Sequence, residues 1–91
     1  MPNPSPTWRY PRKDGRVVTR DELRAEAGPR LCYLLVVRKG MWADRPWRWE
    51  LKSRWGDQPV LEDGSARTKA ASQRRVLDAM RWDVRKGREA A

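Results

Sequence analysis

The chain of 91 residues has no histidine, phenylalanine or isoleucine, and only one cysteine and one asparagine. Without histidine there is no Ser-His-Asp or Cys-His arrangement and no imidazole metal ligand. The single Cys32 excludes an intrachain disulfide framework and a cysteine-based zinc site; inside an apolar run and with no imidazole to activate it, it reads as a small core residue. Neither a Gly-rich P-loop nor a dinucleotide fingerprint is present. Asp57, Glu62 and Asp63 stand beside turn signals, where carboxylates serve local hydrogen bonds, and do not suggest an acid–base pair. The expectation is a non-enzymatic protein without cofactor or metal.

Long apolar runs are also absent. The longest, residues 31–37, falls far short of the roughly 20 residues of a membrane span, and the opening Met-Pro-Asn-Pro-Ser-Pro has no apolar signal core. A cytoplasmic protein in a reducing compartment is expected, with residues 1–7 a disordered Pro-rich lead, residues 8–88 a single basic domain and residues 89–91 a tail.

Charge and tryptophan are plentiful. Lys and Arg number 21 against 12 acids, for a net charge of +9 and a pI near 10.8. Such a surface favours polyanions: nucleic acid, an acidic protein surface or an anionic membrane. A chain of this length buries only about 60–65% of its unfolded surface. Six tryptophans, each able to remove roughly 150–250 Å² from water, can therefore form much of a small core.

The organising stretch is residues 47–55, W-R-W-E-L-K-S-R-W. Trp47, Trp49, Leu51, Ser53 and Trp55 share one parity and Arg48, Glu50, Lys52 and Arg54 the other, the period of a half-buried strand. Residues 31–37 are apolar on both parities and predict a central strand covered on both faces, or one packed by the N-terminal segment. Residues 38–46 then supply a hairpin connection. Asp14-Gly15 marks a turn before a short strand at residues 16–18. Thr19 with Glu22 forms a capping-box pattern and Gly28-Pro29 a stop, predicting a short helix over residues 20–27. Residues 60–62 read as a third strand and Asp63-Gly64 as another turn.

Ser65 or Thr68 can cap a C-terminal helix that Gly87 ends. At 100° per residue Ala70, Gln73, Val76, Leu77, Met80 and Val84 lie within about 120°, giving one apolar face. Arg67, Arg74, Arg81 and Arg88 recur every seven residues with Arg85 nearby, forming a basic stripe that drifts about 20° per heptad. The fold expected is α+β: an antiparallel sheet of three to four strands packed against a C-terminal helix, with the short helix near residues 20–27. Trp8-Arg9-Tyr10-Pro11-Arg12-Lys13 mixes aromatics with cations; it could stack on bases, but packing across the domain is the simpler role.

The segments Arg45-Pro46-Trp47-Arg48-Trp49-Glu50-Leu51-Lys52 and Gly64-Ser65-Ala66-Arg67-Thr68-Lys69-Ala70-Ala71 resemble parts of two β-β-β-α groups. These are the arm-type DNA-binding domains of tyrosine recombinases and the plant ethylene-response-factor domain. The pattern is also similar to small uncharacterised actinobacterial and phage proteins. The resemblance spans residues 45–85, about half of the chain, and differs from the DNA-binding pattern at Ala66, where an aromatic usually follows the turn glycine. It implies a sheet that enters the DNA major groove with the helix behind it, and Arg48, Lys52 and Arg54 as contacts to bases or phosphates. Glu50, on the same face, would either accept from a cytosine or hold a neighbouring Arg.

Charge, stripe and resemblance together make nucleic acid the leading partner, with DNA the expected kind, engaged through Arg48, Lys52 and Arg54 of the strand and Arg67, Arg74, Arg81 and Arg85 of the helix. The alternative is a protein-interaction module that binds an acidic protein surface or self-associates, with Trp42 and Trp82 as anchors. A membrane-surface helix is a third reading, weakened by Gln73 and the few bulky residues on its apolar face.

Overall fold

The computed structural model describes residues 6–40 and 44–87. Four strands, β3 (Glu22–Ala27), β4 (Tyr33–Lys39), β5 (Trp47–Ser53) and β6 (Val60–Ala66), form an antiparallel meander in chain order. Strands β1 (Arg12–Lys13) and β2 (Arg16–Val17) form a small separate hairpin ahead of it, and helix α1 (Lys69–Lys86) crosses one face of the large sheet. The α+β class, the C-terminal helix and the four-stranded count agree with the sequence reading.

Residues 47–53 show why the sheet has two faces. Trp47, Trp49, Leu51 and Ser53 turn toward α1, with Trp49, Leu51 and Ser53 buried. Register brings Val37 and Gly64 beside Trp49, and Leu35 beside Leu51. Tyr33, Leu35 and Val37 are fully buried on this side of β4, and Val76, Ala79 and Met80 of α1 close the core over them. Val36, on the opposite face, is also only 2% exposed. Arg24 and Glu50 flank it in register, and long charged side chains cover apolar surface with their stems. The double-sided apolar run thus behaves as a central strand should.

Residues 22–27 are a strand, not the helix that Thr19 and Glu22 suggest. Leu23, Ala25 and Ala27 are buried and Glu22, Arg24 and Glu26 turn outward, an alternation equally present in the sequence. The long apolar β4 would otherwise expose one edge of unpaired amides, and pairing along all six β3 residues satisfies them. Thr19 Oγ1 accepts a bond from the Asp21 amide instead of capping a helix. The Gly28-Pro29 stop leads into a 3₁₀ turn at Pro29–Leu31.

Three other boundaries shift, the first being β4, which spans Tyr33–Lys39 rather than residues 31–37. β5 ends at Ser53, so Trp55 leaves the buried parity and stands 53% exposed in the following turn. β6 runs through Asp63-Gly64 to Ala66 rather than turning there, because Gly64 lies opposite Trp49 and leaves room for its indole. A bulge at Leu51/Lys52 lets Leu61 join the core. The Asp14-Gly15 turn does form: both residues have positive φ, 52° and 79°, as a two-residue hairpin requires.

Helix α1 has the caps expected of it. Thr68 Oγ1 accepts from the Ala71 amide at 3.1 Å, and Gly87, at φ 74°, closes the other end with a bond to the Val84 carbonyl. Its buried face is rotated by about 70° from the apolar wheel: Ser72, Val76, Ala79, Met80 and Asp83 are buried, while Ala70 is exposed and Gln73 half-buried. Ser72 Oγ donates to the Trp47 carbonyl at 3.0 Å, and the Tyr33 hydroxyl donates to Asp83 Oδ2 at 2.7 Å. Two polar side chains with partners inside displace Ala70 and Gln73 outward.

Candidate nucleic-acid interface

The sheet face away from α1 carries three of the residues that sequence pattern selects, Arg48, Lys52 and Arg54. Register arranges it in rows: Glu22, Arg38, Arg48 and Ser65; then Arg24, Val36, Glu50 and Asp63; then Glu26, Leu34, Lys52 and Val60. Charges alternate in sign from row to row along β3 (Glu22, Arg24, Glu26) and β5 (Arg48, Glu50, Lys52), while within rows Arg38 lies opposite Arg48 and Glu50 opposite Asp63. Arg38 lies 2.9 Å from Glu50 and 3.7 Å from Glu22, Arg24 is 3.4 Å from Glu22, and Arg54 is 3.1 Å from Glu26. Arg48 pairs with Asp63. Glu50 therefore holds a neighbouring arginine.

This network changes what the face offers an anion. Arg24, Arg38, Arg48, Lys52 and Arg54 meet Glu22, Glu26, Glu50 and Asp63, five cations against four carboxylates and a local net of +1. Each exposed pair contributes only about 0–1 kcal/mol to stability. Any phosphate approaching Arg48 or Arg54 must nonetheless compete with a carboxylate already in place. Lys52 alone of the three has no ion pair among the described residues.

On α1 the arrangement is the reverse. Arg74, Arg81 and Arg85 lie within about 40° of one another, directly opposite the buried face, and all are exposed. Arg67, also exposed, precedes the N-cap and extends the line beyond the helix. Arg81 approaches Asp78 at 3.7 Å, with both side chains largely in solvent, where water and salt screen the pair. Arg75 and Lys86 occupy one flank. Residues 67–87 hold seven cations and two acids, a net of +5, and one of those acids, Asp83, is buried on the far side. Arg88 lies outside the described residues.

A second basic segment adjoins the start of the helix, one that pattern reading passed over in favour of aromatic packing. Trp8 does pack against the core. Residues 8–20 also hold five cations and one acid, a net of +4. Together the two segments carry a charge equal to the whole chain's +9. Tyr10 joins them: its hydroxyl accepts from Lys69 Nζ at 3.2 Å, and the Arg20 guanidinium sits 5.3 Å from its ring centre. Lys69 lies 5.5 Å from both the Tyr10 and Trp47 rings. The Lys69 hydrogen bond and charge, with a smaller push from Arg20, hold the Tyr10 hydroxyl below its usual pKa. The composition of residues 8–20 was the signal that could have marked them.

Of the two tryptophans expected as partner anchors, Trp42 lies outside the described residues. Trp82 is 54% exposed, with Lys86 Nζ 5.2 Å from its ring centre. It walls a cleft of about 330 Å³ between β6 and α1, together with Trp49, Glu62 and Asp78. No helix among the described residues is long and apolar enough to cross a membrane. Compared with known proteins, the chain matches no protein-family model, no curated protein and no solved structure.

Proposed function

We propose that this protein binds nucleic acid, with the solvent face of α1 as the main contact and the β1–β2 hairpin region as a second. What carries this reading is the partition of charge: the sheet face is nearly neutralised by its own carboxylates, and the excess stands on two adjoining segments. Arg74 to Arg85 spans about 16 Å at 1.5 Å per residue, close to five base pairs of duplex at 3.4 Å each. Exposed guanidinium groups suit phosphate oxygens, which they can meet with two parallel bonds. Binding of this kind positions a protein on the backbone without reading sequence.

The test is fluorescence anisotropy of a labelled duplex at low salt and near 150 mM. Four phosphate contacts predict a slope of log K against log salt of about −3.6. Arg74→Glu with Arg81→Glu should abolish binding, whereas Arg48→Glu should change it by less than about threefold. A strong loss from Arg48→Glu with no effect of the helix pair would transfer the contact to the sheet face. No binding at low salt would end the nucleic-acid reading.

Exposed Trp82 supports a second reading, a protein-interaction module that engages an acidic surface or another copy of itself. Sedimentation equilibrium tests the self-associating form. A concentration-dependent dimer that Trp82→Ala dissociates would favour it, and a monomer at all concentrations would remove it.

A further inference from the structure

We propose that the cleft at the β3 edge of the sheet, on the face away from α1, binds a phosphomonoester dianion. The cleft, of about 640 Å³, is large enough for a ligand the size of a nucleotide. Arg9, Arg24 and Arg54 all line it, with Glu26 as the one carboxylate. The local net is +2, matched to the charge of roughly −1.5 to −2 on a phosphomonoester at neutral pH.

How Arg9 and Arg24 are placed is the strongest argument. Their backbones exchange two hydrogen bonds, each 2.9 Å, which makes them a directly opposed antiparallel pair. Opposed residues send their side chains to the same face, and like charges in that position repel. Arg54 occupies Glu26 at 3.1 Å, and Arg24 shares Glu22 with Arg38. Arg9 has no ion pair or side-chain hydrogen bond among the described residues. An anion seated between Arg9 and Arg24 removes that repulsion and gives Arg9 a partner.

Backbone strain falls at the same place. Among the described residues four non-glycine residues have positive φ; one is Asp14 in the hairpin turn, and the others are Arg30, Leu31 and Gln58, at 56°, 53° and 52°. Leu31 and Gln58 both line the cleft. A left-handed leucine is costly, and strain of this sort collects at ligand sites. Leu31, 49% exposed, offers an apolar contact to the organic part of the ligand, and Gln58 offers an amide.

A phosphomonoester can come from a free mononucleotide or from the 5′ end of a nucleic-acid strand; only the second source rests on the function proposed above. The first arm of the experiment uses a nucleoside 5′-monophosphate and its parent nucleoside at matched ionic strength near 150 mM, read by thermal midpoint and by ³¹P line width. We expect the monophosphate alone to raise the midpoint and broaden its own resonance. Arg9→Gln, at an exposed site outside the core, should weaken this at least tenfold, and Arg24→Gln should do the same.

The second arm compares 5′-phosphorylated and 5′-hydroxyl single strands of one sequence. At least tenfold tighter binding of the phosphorylated strand, lost in Arg9→Gln, assigns the site to strand ends. A monophosphate response without that difference assigns it to free ligands and still supports the proposal. Absence of both responses overturns it, as does a response equal in wild type and Arg9→Gln. Loss of duplex binding in the helix variants leaves the monophosphate arm intact, so the two readings fail separately.

Discussion

Trp49 and Gly64 make each other necessary. A Cβ built on Gly64 would stand 2.6 Å from Cζ2 of the Trp49 indole and 2.8 Å from Nε1, inside any tolerable contact. Gly64→Ala should therefore unseat the ring and cost about 1–3 kcal/mol, measurable as a lower urea midpoint with an unchanged slope. Tyr33 and Asp83 form a second such pair, both fully buried and joined at 2.7 Å between β4 and the last turns of α1. Tyr33→Phe keeps the ring and removes the donor, so the expected loss is about 1–3 kcal/mol, again by urea denaturation. Tyr10 gives a prediction in pH. Lys69 favours the phenolate in the folded protein, so its contribution to stability is fully present above the usual pKa of about 10 and fades as pH falls through the lowered folded value. Absorbance titration near 295 nm should show Tyr10 ionising earlier than a free tyrosine, and Lys69→Met should move it back up.

Elements differ in how plainly the sequence announces them, and the difference follows from whether their determinants are local. Both caps of α1 are local, and the structure uses Thr68 and Gly87 as their residue types predict. Thr68→Ala removes the acceptor for the Ala71 amide and should cost about 1 kcal/mol, with a matching fall in thermal midpoint. The alternation of residues 47–53 is equally local and gives the strand and its buried side. β3 is different: a capping-box pattern and an alternating pattern overlap in residues 19–27, and the choice is made by β4, whose edge needs a partner. β6 was hidden because Asp-Gly is a turn signal unless an indole from the neighbouring strand, here Trp49 of β5, needs the space above the glycine. The buried side of α1 was misplaced for the same reason, since Ser72 and Asp83 point inward only because Trp47 and Tyr33 supply their bonds. The candidate interface divides along this line too. The helical arginine stripe is a matter of spacing, whereas pairing of Arg48 with Asp63 and Arg54 with Glu26 depends on register between strands and across the sheet edge.

At the scale of the molecule, the consequence of that pairing is an uneven charge distribution within extents of only 36 × 34 × 30 Å. The sheet network is locally balanced, while residues 8–20 and 67–87 hold net charges of +4 and +5 and touch through Tyr10 and Lys69. Two opposing effects of salt follow. Screening weakens the exposed ion pairs, each worth about 0–1 kcal/mol, and it also weakens repulsion within and between the basic segments. At 10 mM ionic strength the Debye length is about 30 Å, so repulsion acts across nearly the whole molecule; at 150 mM it is about 8 Å and only near neighbours interact. Ion pairs within 4 Å are shorter than either length and change less. Repulsion should therefore dominate the response, and the thermal midpoint should rise between 10 and 150 mM sodium chloride. Arg81→Gln removes one cation from the densest stretch and should flatten that rise, while Arg38→Gln, which breaks contacts to both Glu22 and Glu50, should lower the midpoint at both salt concentrations. A midpoint that falls with salt would mean that the sheet network, not the excess charge, governs the electrostatics of folding.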